Sequence, residues 1–248
     1  MSTILVSNDD GYFAEGIAIL REALRPLGRV ISVAPDRDCS GISHKLSIHT
    51  PLRLREVGDD AYAVNGSPAD CIHLAIHAVL DDQKPDVVIS GINHGLNLGE
   101  DVAYSGTVAA AYEGFAQGIP SIAVSAGRSH GSFNFVGAAE VAVDFARKVI
   151  EGDPVFRQAV WNINVPHDPI RGVRYARLDN RSFKSSVVKR TDPRGQDYYW
   201  LGPYYPEFQR GEKTDYEAYQ NGFISVTPLK VEMTHETILD RLLKTLPS

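Results

Sequence analysis

The sequence predicts an α/β protein whose core is a parallel sheet, because short apolar runs alternate with helical patterns up to Pro166. The first run, Ile4-Leu5-Val6, is followed by a helical pattern from Glu15 and by a second apolar run from Val30. Strand, helix and strand within about 30 residues form a βαβ unit, whose two strands are parallel. The 248 residues, of which 43% are hydrophobic, suffice for one large domain with a sizeable core.

The predicted elements follow one another with recognisable start and stop residues. Gly28 ends the first helical pattern, and Ser67-Pro68 is typical of a helix start. In chain order, the sequence predicts a strand at Ile4–Val6, a helix at Glu15–Leu27, a strand at Arg29–Ala34, short strands or a hairpin within Leu46–Val64, a helix at Ala69–Leu80, a strand at Val87–Ile89, a helix at Val108–Gln117, a strand at Ser121–Ser125, a helix at Phe133–Glu151 and a strand at Ala159–Val165.

The C-terminal part of the chain has a different character. Arg171 to Phe223 is rich in Tyr, Arg, Asp, Pro and Gly, which favours an antiparallel arm over another βαβ unit. Ile224 to Val226 predicts a strand that returns to the body. Met233 to Leu246 predicts a closing helix used in oligomerisation, with Ile238, Leu242 and Leu246 on one stripe. We therefore expect a core over residues 1–170 and a C-terminal arm, returning strand and closing helix over residues 171–248, which together make one functional domain.

Charge and composition exclude several classes of function. A net charge of -6 argues against binding to a nucleic-acid polymer or a membrane surface through bulk charge. Two cysteines imply no disulfide framework. No apolar run approaches the roughly 18 residues of a membrane span, and no signal peptide precedes the first strand, so we expect a cytoplasmic protein.

Two adjacent carboxylates, Asp9 and Asp10, come directly after the first predicted strand. Open parallel sheets bind ligands at the carboxyl ends of their strands, and neighbouring carboxylates there repel each other unless a cation lies between them. Ser40 follows the second strand and Asn93 the third, so both can add neutral oxygen ligands. An all-oxygen set favours Mg²⁺, Mn²⁺ or Ca²⁺ over zinc. The alternative is a turn and helix cap, which Asn-Asp-Asp-Gly also suits.

A long glycine- and asparagine-rich stretch, Ser90 to Thr107, is predicted to be a functional loop. Its pattern is neither a dinucleotide fingerprint nor a P-loop, and an ordinary irregular loop remains the alternative. It ends in Ser105-Gly106-Thr107 at a predicted helix start, where free amides and the helix dipole favour anions. An N-cap is the simpler interpretation of these residues, and both can hold. The glycines and asparagines of the stretch are Gly91, Asn93, Gly95, Asn97 and Gly99.

These motifs resemble the SurE (survival protein E) family of metal-dependent nucleotide phosphatases. The resemblance implies a Rossmann-like core with a C-terminal arm exchanged between subunits in homodimers or homotetramers. It implies hydrolysis of 5′- and 3′-nucleoside monophosphates, with action on short-chain polyphosphate in some members, and one divalent ion per subunit, Mg²⁺ or Mn²⁺. By resemblance, the metal ligands are Asp9, Asp10, Ser40 and Asn93, and the phosphate-binding residues are Asn97, Ser105, Gly106 and Thr107. The matching stretches are Ile4–Gly16, Pro35–Ser40, Gly66–Cys71, Ser90–Gly114 and Thr227–Leu229.

The mechanistic hypothesis is direct phosphoryl transfer to water, with Asp9 as general base and Asp10 as a firm metal ligand. Attack by Asp9 itself is the alternative route. Two further functions stay open at this point, namely an aspartyl-phosphate-type phosphatase on a similar scaffold and a nucleotide-binding module without catalysis. Paired carboxylates argue against the module, because like charges beside a bound anion weaken its binding.

Overall fold

The computed structural model describes residues 2–167, 169–182, 187–201, 207–208 and 211–245. Within these ranges the helices are α1 (Glu15–Leu24), α2 (Pro68–Leu74), α3 (Gly106–Ala116), α4 (Phe135–Ile150), α5 (Asp215–Gln220) and α6 (Glu236–Leu243). The strands are β1 (Ser2–Ser7), β2 (Gly28–Pro35), β3 (Leu54–Gly58), β4 (Ala61–Val64), β5 (Val87–His94), β6 (Ser121–Ala126), β7 (Arg128–Ser129), β8 (Ser132–Phe133), β9 (Val160–Val165), β10 (Val173–Tyr175), β11 (Arg181–Ser182), β12 (Val187–Thr191), β13 (Asp197–Leu201), β14 (Glu207–Phe208) and β15 (Ile224–Leu229).

One mixed sheet of nine strands forms the centre, in the order β10-β15-β9-β6-β5-β1-β2-β4-β3. The six strands from β9 to β4 in this order are mutually parallel, which confirms the predicted α/β fold. Taken along the chain, they have the 3-2-1-4-5-6 order of a Rossmann-like fold. The first strand, β1, lies between β2 and β5, so the strand order reverses there and leaves a crevice at the carboxyl ends of β1 and β5.

Helices cover both faces of the sheet. Helices α1 and α4 pack on one face and α2 and α3 on the other, so β1 is buried on both sides. Its residues alternate accordingly: Ile4 and Val6 face α1 and α4, whereas Leu5 faces α2. This double burial explains why the parallel strands appear in the sequence as continuous apolar runs.

Several element ends differ from the prediction for local reasons. The helix α1 ends at Leu24 and continues as a 3₁₀ turn, because Pro26 has no amide hydrogen for the next helical bond. Ser67 caps α2 by accepting from the Asp70 amide, as predicted, but the helix widens into a π-helical turn over Ala75–Val79. The hairpin expected within 46–64 is the antiparallel pair β3–β4, and β4 also joins the parallel sheet beside β2.

The long loop predicted from Ser90 is shorter than expected, and this prediction is corrected. Strand β5 continues to His94, because Asn93 and His94 pair with β6 after a register shift that follows Ser90. The glycines and asparagines thus lie partly in an irregular strand, and a 3₁₀ turn forms at Gly99–Ala103. The strand extension carries Asn93 to the edge of the crevice beside β1.

The C-terminal part contributes to the central sheet and also forms an arm. Strand β15 returns antiparallel to β9, and β10 lies parallel to β15 at the edge. The predicted antiparallel arm is present as the pair β12–β13. Helix α5 was not predicted.

The predicted closing helix is only α6, and its residues are exposed. Ile238 is 49% exposed and Leu242 59% exposed, while Leu246 of the predicted stripe lies outside the described residues. In the parts of the chain that the structure covers, no helix is long and apolar enough to cross a membrane.

Candidate active site

The acidic pair lies in the crevice where the strand order reverses. Asp9 and Asp10 follow β1 directly, and Gly11, with a φ of +96°, turns the chain away from the sheet. A side chain at this glycine would also meet the main chain of Arg37 at 3.1 Å, so both the turn and the close approach require glycine. The turn leaves both carboxylates between β5, the loop after β2 and the start of α3.

Asp9 is 3% exposed and is held by α3. The Thr107 hydroxyl donates a very short hydrogen bond to Asp9 Oδ1. Burial nevertheless raises the pKa of Asp9 to about 6, with a smaller contribution from the charge of Asp10. On the other side, the Cys39 amide donates to the Asp9 carbonyl at 2.8 Å, which fixes the loop after β2 against this turn.

Asp10 is held by the end of β5. The His94 amide donates to Asp10 Oδ2 at 3.1 Å, and His94 Nδ1 lies 3.5 Å from Oδ1. Burial raises the pKa of Asp10 to about 6, and the charge of Asp38 adds to this increase. The His94 ring stacks on Phe133 and Phe135 at centroid distances of 5.2 and 5.0 Å, and burial lowers its pKa.

The two neutral oxygen residues predicted as metal ligands lie on the segments that hold the acids. Ser40 is exposed, and its main-chain amide and its hydroxyl both donate to Asp38 Oδ1, at 2.8 and 2.6 Å. Asn93 is half-buried, and its Nδ2 donates to the Gly95 carbonyl at 3.0 Å. The Ser40 hydroxyl uses its hydrogen in these bonds and Asn93 uses one of its two, so the Ser40 Oγ lone pairs and the Asn93 Oδ1 remain as electron-pair donors.

Asn97 is buried under the crevice, where two asparagines of β9 hold it by hydrogen bonds. Its amide donates to Asn164 Oδ1 at 2.7 Å, and its carbonyl accepts from the side chains of Asn162 and Asn164. Its own Nδ2 donates to Ser125 Oγ at 2.8 Å, which leaves one side-chain hydrogen for a ligand. Polar residues on a strand buried on both faces are the signal that could have predicted this support.

The first turn of α3 faces Asp9, as the predicted anion site requires. Ser105 caps the helix by accepting from the Val108 amide at 3.1 Å, which leaves its hydroxyl hydrogen free to donate. Among the described residues, the Gly106 amide has no acceptor. A Cβ on Gly106 would lie 2.7 Å from the Asp9 Cβ, so glycine permits the contact between helix and acid. The Thr107 hydroxyl donates to Asp9 Oδ1, and the predicted contact of Thr107 with phosphate stays a prediction.

The donor set fits a hard divalent cation. The carboxylates of the buried Asp9 and the half-buried Asp10, with pKa values raised to about 6, are destabilised as anions, and a cation between them would offset this cost. The buried Asn8 Oδ1 beside them has no hydrogen-bond partner among the described residues. Within that same part of the chain no cluster of three His, Cys, Asp or Glu side chains is arranged around a metal, so any ion here depends on serine and amide oxygens as well.

Sequence analysis missed three contributors to this site. His94 and Asp38 act on Asp10, and Asn164 holds Asn97. Asn164 belongs to the polar pattern of β9 noted above, whereas His94 and Asp38 lie in no pattern that is informative alone and reach the site from the end of β5 and from the loop after β2.

Fold and site together define an α/β protein with Rossmann-like strand order and a carboxylate pair opposite a helix N-terminus at the switch point. A profile described as survival protein SurE matches residues 4–185. The chain is 46% identical over 245 residues to the 5′-nucleotidase SurE of Aquifex aeolicus (strain VF5), and the match covers 96% of each. It is 48% identical over 233 residues to the 5′-nucleotidase SurE of Laribacter hongkongensis (strain HLHK9), which covers 93% of each. The chain belongs to the SurE family, as its motifs predicted.

A solved structure agrees with this assignment. The crystal structure of the SurE protein from Aquifex aeolicus has a TM-score of 0.84 to this chain at 45% identity, and the match covers 98% of both chains. The agreement extends over the C-terminal part as well as the core, so the mixed sheet described above is the fold of this family.

Proposed function

We propose that this protein is a divalent-metal-dependent 5′-nucleotidase that hydrolyses nucleoside monophosphates to nucleoside and phosphate. The observation that carries the proposal is the carboxylate pair of the buried Asp9 and the half-buried Asp10, opposite the first turn of α3 at the switch point of the sheet. A cation site and an anion site that face each other are what a phosphate monoester requires. The names of the relatives support an enzyme of the 5′-nucleotidase type.

The residues that would hold the metal ion are Asp9, Asp10, Ser40 and Asn93. Their oxygens match the preference of Mg²⁺ and Mn²⁺. When bound, such an ion neutralises charge on the phosphate and supports formation of the nucleophile. Asp10 is the better anchor, because the His94 amide orients its carboxylate.

In the proposed mechanism, Asp9 accepts the proton of the attacking water. Thr107 occupies Asp9 Oδ1, so the other oxygen, Oδ2, is left for the water. In this step an oxygen of water forms the new bond to phosphorus and Asp9 takes its proton, while the bond to the nucleoside oxygen breaks and that oxygen takes a proton from solvent to give the free nucleoside. The Gly106 amide and the Ser105 hydroxyl stabilise the negative charge that develops on the phosphoryl oxygens, and Asn97 adds its remaining side-chain hydrogen.

The same site is proposed to act on 3′-monophosphates and on the end of short-chain polyphosphates. Each of these presents a terminal phosphate on a single bridging oxygen, and the contacts above involve only that group. Attack by Asp9 instead of water would leave an aspartyl-phosphate. Rapid acid quench with a ³²P-labelled monophosphate, followed by gel filtration, separates the routes, since only covalent catalysis leaves label on the protein.

We also propose a homodimer or homotetramer. Apolar side chains of α6 and β13 are exposed in the single chain, including Leu242, Trp200 and Leu201 at 59%, 65% and 71%. Exposed apolar groups clustered on two elements are typical of interaction surfaces. Light scattering during size-exclusion chromatography tests this directly, and a monomer at micromolar concentration would contradict it.

The decisive experiment measures AMP hydrolysis with Mg²⁺, Mn²⁺ or excess EDTA in wild type, Asp9→Asn and Asp10→Asn. We expect turnover only with metal, and a loss of at least 100-fold in each variant with an unchanged circular-dichroism spectrum. Asp144→Asn, on the exposed face of α4, is the matched control and should keep wild-type rates. Full turnover in EDTA, or wild-type rates in either site variant, would contradict the proposal.

A further inference from the structure

A second concave surface lies at the same edge of the sheet, beyond the carboxyl ends of β6 and β9. It is a cavity of about 510 Å³, which is within the size range of small-molecule sites. Its walls come from the segments that follow these strands and from the end of α5. The residues that matter most for its chemistry are Arg128, His167, Arg171 and Tyr219.

The cavity is positively charged, although the whole protein has a net charge of -6. No Asp or Glu is among the described residues that line it. Neither Arg128 nor Arg171 forms an ion pair with any residue that the structure describes, whereas Arg29, on another edge of the molecule, is bound to Asp60. Asp168, which lies next to His167 in the sequence, is outside the described residues. Two guanidinium groups that have no ion-pair partner among the described residues lie at one cavity, and such groups favour an anion with several oxygens.

The shape of the cavity is fixed by its surroundings. The Arg171 amide donates to the Gly222 carbonyl at 2.8 Å, which joins the segment after β9 to the end of α5. Asn134 Nδ2 donates to the Pro166 carbonyl at 3.2 Å, and the Gly127 amide to the Val165 carbonyl at 2.8 Å. Because main-chain bonds hold the walls, a ligand would meet a largely formed site.

Three successive contacts connect this cavity to the carboxylate pair. Arg128 Cζ lies 5.6 Å from the centre of the Phe133 ring, and Phe133 stacks on His94, whose Nδ1 lies 3.5 Å from Asp10. The cavity is therefore separate from the catalytic crevice but close to it, on the same edge of the sheet. A molecule with phosphate groups at both ends could extend from one to the other.

We infer that this cavity binds anions that carry more than one phosphate group. Arg128 and Arg171 each bind a phosphate through paired N–H donors, and the half-buried His167 adds a further donor when it is protonated or in the appropriate tautomer. One source of such an anion is the distal part of a phosphate chain whose end occupies the catalytic crevice. The other is a separate molecule that binds as an effector. Binding at this cavity goes beyond the proposed function, because it requires neither the metal nor hydrolysis.

The test is isothermal titration of the full chain with inorganic tripolyphosphate in EDTA, so that no metal occupies the carboxylate pair. We expect the affinity to fall at least tenfold in Arg128→Gln/Arg171→Gln. It should stay within twofold in Arg25→Gln/Arg147→Gln, which removes two exposed charges elsewhere. Each single cavity variant should show part of the loss, which keeps the test informative if the double variant is unstable. Equal affinity in wild type and the cavity variants, or no binding to wild type, would overturn the inference.

Kinetics with metal separate the two sources and keep this inference distinct from the proposed function. If the cavity holds the tail of a substrate, the double variant raises KM for tripolyphosphate while KM for AMP stays within twofold. If it holds an effector, tripolyphosphate changes the rate of AMP hydrolysis in wild type and this change is lost in the double variant. Absence of AMP turnover in wild type would contradict the proposed function and leave the titration result standing.

Discussion

The contact between Gly106 and Asp9 allows a quantitative test of the site. In Gly106→Ala the new Cβ would lie 2.7 Å from the Asp9 Cβ, 3.0 Å from Oδ2 and 3.2 Å from Cγ. Carbon atoms prefer separations of about 3.5–4.0 Å, so Asp9 and the first turn of α3 must move apart by about 1 Å. The φ of Gly106 is not in the left-handed region, so alanine causes no backbone strain and the effect is steric.

A shift of this size falls on the proposed general base. Displacement of a catalytic group by about 1 Å reduces turnover by roughly 100-fold. The same shift lengthens the Thr107 bond to Asp9 Oδ1, which weakens the orientation of the carboxylate. We therefore expect kcat for AMP to fall about 100-fold, with a smaller change in KM.

The assay is steady-state AMP hydrolysis with Mn²⁺, together with thermal unfolding followed by circular dichroism. Gly114→Ala is the matched control on the same helix, because its Cβ would lie 2.7 Å from Ser121 Oγ and from Val88 Cγ2, far from either carboxylate. Both variants should unfold at lower temperature, but only Gly106→Ala should lose activity at temperatures where it is folded. Equal activity in the two folded variants would refute the argument.

Three further predictions concern pH and the loops around the site. In EDTA, wild type should lose up to about 3 kcal/mol of stability relative to Asp10→Asn as the pH rises from about 4 to 6. The reason is that the raised pKa of Asp10 makes the folded state bind this proton more tightly than the unfolded state does. Urea titrations measure the free energy of unfolding, and Mn²⁺ should reverse the loss. The His44 hydrogen bond is the main cause that lowers the pKa of Glu113. Ionised Glu113 therefore contributes to the free energy of unfolding above about pH 4.3, and this contribution is lost as the pH falls through the pKa of the folded state. Glu113→Gln should accordingly lose less stability than wild type between pH 5 and 3 in the same titrations. The Asp215 carboxylate accepts a hydrogen bond from the Gly99 amide at 2.8 Å. Asp215→Ala should therefore speed amide hydrogen exchange over residues 97–104, while exchange in α1 is unchanged. Equal exchange rates over residues 97–104 in wild type and variant would contradict this anchoring role.

The C-terminal part shows why oligomer contacts are difficult to predict from a single chain. The closing helix is predicted to take part in oligomerisation, and amphipathic helices usually bury their apolar face. In the structure the described residues of α6 are all exposed. The sequence pattern indicates that a helix has a face to bury, but it does not indicate which surface receives it.

The amino-acid sequence by itself determined the local elements and the chemistry available at their ends. Runs such as Ile4 to Val6 are apolar because both faces of a parallel strand are covered, and the caps Ser67 and Ser105 satisfy amides within three residues of themselves. The position of Asp9 and Asp10 after the first strand was sufficient to predict a ligand site at the switch point.

Only the tertiary structure decided how these groups act on one another. Thr107 is 98 residues from Asp9 in the chain, and its hydroxyl reaches that carboxylate because β5 lies beside β1 and α3 starts at the shared edge. The same holds for the His94 amide on Asp10 and for the support of Asn97 by Asn164, 67 residues away. The physical reason is that hydrogen bonds and desolvation depend on distances of a few ångströms, and strand order and register set those distances, whereas local sequence spacing does not.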